Sequence, residues 1–443
     1  MQYLRRTLAP YLALPRSVHV LFFAALVNYL GNFVAPFLTM YLTFARGMDA
    51  AQVGALVASN AGLGMLGAMI GGKLMDTYSR KSVLLIFRSL AAMAYVMCAF
   101  VDSLPAIIGL LLFSTFAGGF SEPVYQTIMT DVTPPESRKN AFSLHYIAIN
   151  LGFSVATLLA GALFREHMNW LFLGDAVTTF LSIGLVMAFV PESHPLRTGR
   201  RGLGRVDGQS RPEAGSTASV AHASGEAAET GGVFAALLKR PALLWFSFIT
   251  FIYCLVFSQF NFGLSLTTGE AFGQNGAMVY ATLITVNAVM CSVLTMFVTN
   301  ALARFTPAFN LIIGGLLYLV GFGMLGFVNG MFWFVLSTVI WTIGEIVVTT
   351  NMSVYLTAHT PITHRGRFNA VFPVIRRMGF IIGPMACGLI ARTSGPRMIW
   401  PFVAVCALIG SALMTGLHLR EQRRRDAVSG QTNRMAVPPL ADQ

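Results

Sequence analysis

The chain has 443 residues, of which 55% are hydrophobic and only 11% charged, with a mean hydropathy of +0.66. Soluble domains carry about 25% charged residues, so a water-soluble globular protein is excluded. The net charge of +12 does not point to nucleic acid, because the basic residues alternate with apolar runs. The lipid bilayer is the expected partner and nucleic acid is not.

Five cysteines (Cys98, Cys254, Cys291, Cys387, Cys406) stand singly inside apolar runs. None has metal-ligand spacing, so they read as small apolar packing residues, and neither a metal site nor a cofactor is expected. The N-terminal MQYLRRTLAPYLALPR is basic and leads into a long apolar span with no evident cleavage site, which predicts a retained first helix.

A bilayer crossing takes about 20 apolar residues. In chain order the stretches that qualify are 17–44, 51–72, 82–101, 105–128, 141–164, 169–190, 242–267, 276–301, 309–328, 331–356, 368–391 and 397–419. The predicted fold class is all-α integral membrane, with twelve transmembrane helices. Of the 30 Lys and Arg residues, 23 fall at the N-terminus, on alternate loops or in the tail. Four (Arg46, Arg165, Arg392, Arg397) lie on the opposite loops and three (Arg88, Arg376, Arg377) within spans. Basic loops stay cytoplasmic, so both termini are expected inside, in a cytoplasmic (inner) cell membrane.

Between spans 6 and 7, residues 191–240 are rich in Gly, Ser, Ala, Arg and Glu and almost lack aromatics. Such a segment cannot bury a core and predicts a flexible cytoplasmic linker, with a short amphipathic helix from Val233. The organisation is then an N-terminal six-helix bundle (1–190), the linker (191–240), a C-terminal six-helix bundle (241–422) and a cytoplasmic tail (423–443). The halves repeat. Thr133-Pro134 and Arg138 recur as Thr360-Pro361 and Arg365, Gly152-Phe153 as Gly379-Phe380, and Gly161 as Gly388, each at an offset of 227 residues. Two pseudo-symmetric bundles with a binding site where they meet are expected.

Between spans 2 and 3 lies Gly72-Lys-Leu-Met-Asp76-Thr-Tyr-Ser-Arg80-Lys81. Gly72 allows another helix backbone to approach closely. Asp76 follows within a turn, where a carboxylate accepts backbone N–H groups or pairs with a cation such as Arg80 or Lys81. The stretch resembles the loop between helices 2 and 3 of the major facilitator superfamily, G-x-L-a-D-r-x-G-r-K. Gly72, Leu74, Asp76, Arg80 and Lys81 match; Thr77 and Ser79 stand where Arg and Gly are usual. The resemblance implies a secondary transporter in which this loop is a conformational gate, with Asp131 organising the following loop through Arg138. Gly379-x-x-x-Gly383-Pro384-x-x-Cys387-Gly388 resembles the antiporter motif of the superfamily, here on span 11; the usual span 5 has the weaker Gly152-x-x-x-Ala156-Thr157-x-x-Ala160-Gly161. Its physical role is close helix packing and a soft bend at the proline.

Buried polar groups are unevenly spread. Spans 3, 6, 9 and 12 almost lack strongly polar side chains, Arg88 and Asp175 lying near their ends. Spans 1, 4, 7 and 10 hold Asn28, Asn32, Glu122, Gln126, Gln259, Asn261 and Glu345. Asn28/Asn32 and Glu122/Gln126 are i,i+4 pairs, so each pair shares a helix face. A charge at mid-bilayer costs about 2.5–3.5 kcal/mol and should face protein or a water-filled cavity. In the superfamily, the first helix of each triplet lines the central cavity and the third is peripheral, which fits this distribution. Glu345 is the expected proton-coupling carboxylate, with Glu122 a second candidate; His145 reads equally as a core or a titrating histidine. Arg376 and Arg377 lie about 14 Å past Arg367 at 1.5 Å per residue, and at least one should meet a carboxylate, Glu345 or Glu122, or a substrate. Trp170, Trp245, Trp333 and Trp400, near span ends, read as interfacial anchors.

Gly344-Glu345, Asp131 with Arg138-Lys139, Gln259-Phe260 and FSLHYIAINLG at 142–152 also resemble lactococcal-type proton-coupled multidrug antiporters of the superfamily. That resemblance implies substrate and proton binding by an acid of span 10, which falls on Glu345. The group's acid of span 5 falls on His145 and that of span 7 on Asn261. The expected activity is proton-coupled efflux of amphiphilic small molecules by alternating access, performed by a monomer. A proton-coupled importer of a metabolite and a lipid flippase on the same fold are the alternatives. A membrane acyl- or glycosyltransferase would need clustered His and Asp at a membrane face; the sequence has no such cluster, so no catalytic residues and no enzyme are expected.

Overall fold

The computed structural model describes residues 11–164, 168–192, 241–360 and 365–435. Residues 193–240 of the expected linker, with its helix from Val233, and the tail after 435 lie outside the described residues. What is described consists of helices and short connections, with no strand among those residues.

Among the described residues, eleven helical stretches are long and apolar enough to cross a membrane. One of them, Ala242–Leu302, holds 61 residues, about 90 Å as a single helix against a hydrocarbon core of about 30 Å. It folds back at Gly273, whose φ of 51° suits a residue without Cβ, and so supplies two crossings. The twelve helices are α1 (Arg16–Ala45), α2 (Ala50–Thr77), α3 (Arg80–Phe100), α4 (Leu104–Asp131), α5 (Arg138–Leu163), α6 (Met168–Phe189), α7 (Pro241–Phe257 continued by Gly263–Phe272), α8 (Gly276–Leu302), α9 (Pro307–Gly323), α10 (Met331–His359), α11 (Arg365–Ser394) and α12 (Ile399–Met435). Local signals set several starts. Asp49 Oδ1 accepts from Ala51 N at 2.7 Å before α2, and Ser79 Oγ from Ser82 N at 3.2 Å before α3.

Packing repeats between the halves. In the first, α1 packs on α5 and α6, and α4 on α2 and α3, with α3 against α6; in the second, α7 packs on α11 and α12, and α10 on α8 and α9, with α9 against α12. The halves meet chiefly along two seams, α2 with α11 and α5 with α8. The helix breaks repeat too. α1 unwinds at Gly31–Phe33 and α7 turns 3-10 at Ser258–Phe260, again 227 residues on. The outer surface exposes Met97, Leu181, Val289, Met296 and Leu408; apolar side chains arrayed around a helical bundle are solvated by lipid.

Trp170, Trp245 and Trp333 are exposed near helix ends, but Trp400 is fully buried. Its Nε1 donates to Thr267 Oγ1 at 3.0 Å and its ring stacks on Phe322. Trp400 is therefore a core residue of the second bundle, not an interfacial anchor. Its place near a span end misled because α12 begins packed beneath the α7 break.

Candidate functional site

The two ends of the molecule differ. At the end carrying Asp49 and Arg392 the bundles are locked together. Arg392 Nε lies 3.0 Å from Asp49 Oδ2, and Phe37 of α1 meets Tyr280 of α8 edge to face at 5.4 Å. The seams are close enough to require glycine. A Cβ on Gly388 would stand 2.6 Å from Ala50 O, and one on Gly161 would stand 2.6 Å from Ala281 Cβ. These contacts are symmetric copies. Gly161 meets Ala277, Met278 and Ala281, and Gly388 meets Ala50, Ala51 and Gly54, every member displaced by 227 residues. Towards the opposite end, where Arg80 lies, no hydrogen bond or ion pair joins the bundles among the described residues.

Below this closure lies a cavity of about 460 Å³, walled by both halves. α1 supplies Ala35, Leu38 and Thr39; α2 supplies Val57, Asn60 and Ala61; α4 supplies Thr115. From the second half come Ser258, Asn261 and Phe262 at the α7 break, and Pro373, Arg376, Arg377, Phe380 and Pro384 on α11. Among the described residues its lining carries two charges, both arginine, and no carboxylate. Asn60 Oδ1 is buried there without a partner, and Asn261 Oδ1 accepts from Tyr280 Oη at 2.8 Å. Thr39, Thr115 and Ser258 add hydroxyl groups, and the rest of the wall is apolar. Such a space suits a small amphiphile with an anionic group, since guanidinium N–H groups match carboxylate oxygens.

Of the residues singled out in the sequence, Asn261, Arg376, Arg377 and Pro384 line this cavity. Gln259 does not: it is fully buried, its Nε2 donating to Leu255 O at 3.3 Å and to Ser258 Oγ at 2.9 Å. Gly379 and Gly383 face α7, where a Cβ would stand 2.7 Å from Cys254 Cβ and 2.9 Å from Gln259 Nε2, respectively. Glu345 is also off the cavity, between α8 and α10. Its Oε2 accepts from Asn287 Nδ2 at 2.7 Å and from Cys291 Sγ at 3.5 Å. Neither arginine pairs with Glu345 or Glu122, so the expectation of an ion pair gives way to the other branch, arginines open to a cavity.

Asn28, Asn32 and Glu122 leave the central cavity as well. They line a separate pocket of about 230 Å³ inside the first bundle, with Tyr29, Arg88, Tyr95, Ser114, Ser121, Asp175 and Thr179. Gln126 is not in its wall but donates to Glu122 Oε1 at 2.8 Å. His145 is buried and stacks on Tyr125 at 4.7 Å. Sequence reasoning missed Arg88 and Asp175, placing them at helix ends. The signal was their depth, about nine residues into α3 and eight into α6.

The sequence model of the Major Facilitator Superfamily matches residues 21–384 and 247–439. The chain belongs to this superfamily. It is 25% identical over 390 residues to the uncharacterized MFS-type transporter YqjV of Bacillus subtilis, covering 85% of this chain and 87% of that one. Over 150 residues, 34% of the chain and 37% of the relative, it is 27% identical to the 3-(3-hydroxy-phenyl)propionate transporter of Escherichia coli. Among solved structures, the nucleoside transporter NupG superposes with a TM-score of 0.73 at 14% identity, covering 91% of this chain and 99% of that one. As a member of a transporter superfamily the protein is a multi-pass membrane transporter and not an enzyme.

The superfamily's loop stretch lies at the Arg80 end. Arg80 Nη1 pairs with Asp131 Oδ2, tying α3 to the end of α4. Asp131 is thus held by Arg80 rather than by Arg138, which is exposed. Lys81 Nζ donates to Met187 O and Val190 O at 2.8 Å each, satisfying the last carbonyls of α6. Asp76 is exposed with no ion pair among the described residues, and a Cβ on Gly72 would meet nothing within 4 Å. The close approach expected at Gly72 is absent in this conformation.

Proposed function

We propose that the protein is a proton-coupled secondary transporter that moves amphiphilic organic anions by alternating access, exporting them across the cytoplasmic membrane. The observation that carries this reading is the arginine pair, Arg376 and Arg377, as the lone charges in a cavity between the bundles whose described lining holds no carboxylate. A lipophilic cation would meet two like charges there and no carboxylate, which argues against the cationic-drug specificity that the multidrug resemblance suggested. The partial likeness to a 3-(3-hydroxy-phenyl)propionate transporter supports the same substrate chemistry. Glu345 is the proposed proton carrier, and the Arg80 end, with its basic loops, is the proposed cytoplasmic face. Gly72, Asp76, Arg80, Lys81, Asp131 and Arg138 are the proposed gate, and residues 191–240 the proposed tether.

Counterflow in proteoliposomes tests the substrate. Exchange of 3-(3-hydroxy-phenyl)propionate should be seen and should fall about tenfold or more in Arg376→Gln/Arg377→Gln, since a hydrogen bond to a charged group is worth about 1.5–3 kcal/mol. Exchange of tetraphenylphosphonium with no exchange of aromatic carboxylates would overturn the reading. An imposed pH gradient then reads the coupling: substrate addition should release protons in exchange, not draw them in alongside.

A further inference from the structure

We propose that the pocket inside the first bundle is a second binding site, taking a single monovalent cation, a proton or Na⁺, at Asp175. It shares no lining residue with the central cavity, and the inference does not depend on the charge of the transported substrate.

Charge points to a cation. The pocket is walled by one arginine, Arg88, and two carboxylates, Glu122 and Asp175, so with both acids ionised one negative charge is unmatched. No ion pair links Arg88 to either acid among the described residues. Its Nη1 reaches Ser182 Oγ at 3.4 Å, and its guanidinium lies 5.9 Å over the Tyr125 ring. Glu122 is engaged by Gln126. Asp175 is only 6% exposed, and its Oδ2 accepts from Val34 N at 3.4 Å. An unmatched carboxylate at membrane depth is costly, and one bound cation removes that cost.

The pocket also supplies oxygen ligands. Asn28, Asn32, Ser121 and Thr179 line the same pocket as Asp175 and bring amide and hydroxyl oxygens to it, Thr179 Oγ1 donating to Asn28 Oδ1 at 3.4 Å. Ser121 is 3% exposed, and its Oγ has no hydrogen-bond partner. A buried hydroxyl without a protein partner calls for one, and a ligand in the pocket it lines would supply it. The backbone agrees. α1 is unwound at Gly31–Phe33, directly against Asp175 and Thr178, and discontinuous helices are where transporters expose backbone groups to coupling ions. The other titratable groups facing the pocket are Tyr29 on α1 and Tyr95 on α3, with His145 of α5 behind Tyr125.

Infrared difference spectra of the full chain in lipid nanodiscs test this, reading the C=O band of protonated carboxyl groups and not transport. Stepping the pH in the wild type should give a titrating band, one component of which is lost in Asp175→Asn. If adding Na⁺ at constant pH and ionic strength removes that component, the site takes Na⁺; if the component follows pH and ignores Na⁺, it takes the proton alone. Wild-type and Asp175→Asn spectra that superimpose in both steps would overturn the proposal and leave Asp175 as a cap on Val34–Met40. Should Asp175→Asn not fold, Thr179→Val and Ser121→Ala keep the carboxyl and should shift the midpoint of its band about threefold in concentration or more. Unchanged midpoints in both would equally overturn it.

Discussion

The hydroxyls of Thr157 and Thr285 lie 3.2 Å apart across the seam between the bundles, while the positions related to them by the 227-residue repeat are Pro384 and Ala58, which have no hydroxyl to share. Both seams close on glycine, at Gly161 in one and at Gly54 and Gly388 in the other; the first adds a hydroxyl contact at its middle and the second the Asp49–Arg392 pair at its rim. The two copies of one interface have diverged in what holds them shut.

That difference separates two substitutions. Thr285→Val removes, at constant shape, both the contact with Thr157 Oγ1 and the bond donated to Ser154 O at 3.2 Å, and should weaken the closed end by about 0.6 kcal/mol or more, shifting its population about threefold or more. Gly388→Val instead drives a side chain into Ala50 O and should open the same end in most molecules. Spin-label distances between α2 and α11 near Asp49 read both. Equal distributions in the two variants would contradict the proposed difference between the hydroxyl contact and the glycine contact.

At the other end, Arg80 and Asp131 are partly buried, their side chains 18% and 30% exposed. Arg80→Gln and Asp131→Asn should each lower thermal stability by about 1 kcal/mol or less, and the double variant should cost no more than either alone. Asp76 is exposed and has no ion pair among the described residues, so Asp76→Asn should leave stability unchanged; on the proposed gate role it slows transport strongly. Unaltered transport rates in Asp76→Asn proteoliposomes would remove Asp76 from the gate.

Glu345 has a neutral amide donor, Asn287, and no arginine beside it. Glu345→Gln should therefore fold as well as the wild type, because no buried counter-charge is stranded. On the proposed coupling role it should lose uphill transport yet retain exchange between equal pH on both sides. A Glu345→Gln protein that drives uphill transport at the wild-type rate would assign the proton to another group.

Much of the fold was legible because bilayer physics makes sequence periodic on the scale of a span. Repeated Gly and Pro at one offset equated span 5 with span 11, but did not say which helices meet across the halves; of the repeated glycines Gly161 and Gly388 lie on the seams, while Gly152 and Gly379 pack on α1 and α7 within their own bundles. The site was less legible. Asn28, Asn32 and Glu122 were rightly placed on inward faces, but the sequence does not say which of two interiors a face looks into. Arg88 and Asp175 escaped because helices read as peripheral were assumed to have no polar role. Trp400 escaped because being near a helix end says nothing of which neighbour covers it.

The break in α1 has a mechanical consequence. Beyond the break, Val34–Met40 is a seven-residue α-helical stretch that continues into a π-helical turn, Tyr41–Ala45; the stretch itself is about 10 Å long at 1.5 Å per residue. It reaches from the Asp175 contact at Val34 to Leu38 and Thr39 in the wall of the central cavity. A tilt of about 10° at Phe33 would carry Met40 through about 2 Å, the scale of helix shifts that switch packed interfaces. A short stiff rod pivoting on an unwound joint transmits displacement without needing a chain of intermediates, so the two interiors of this molecule share a lever.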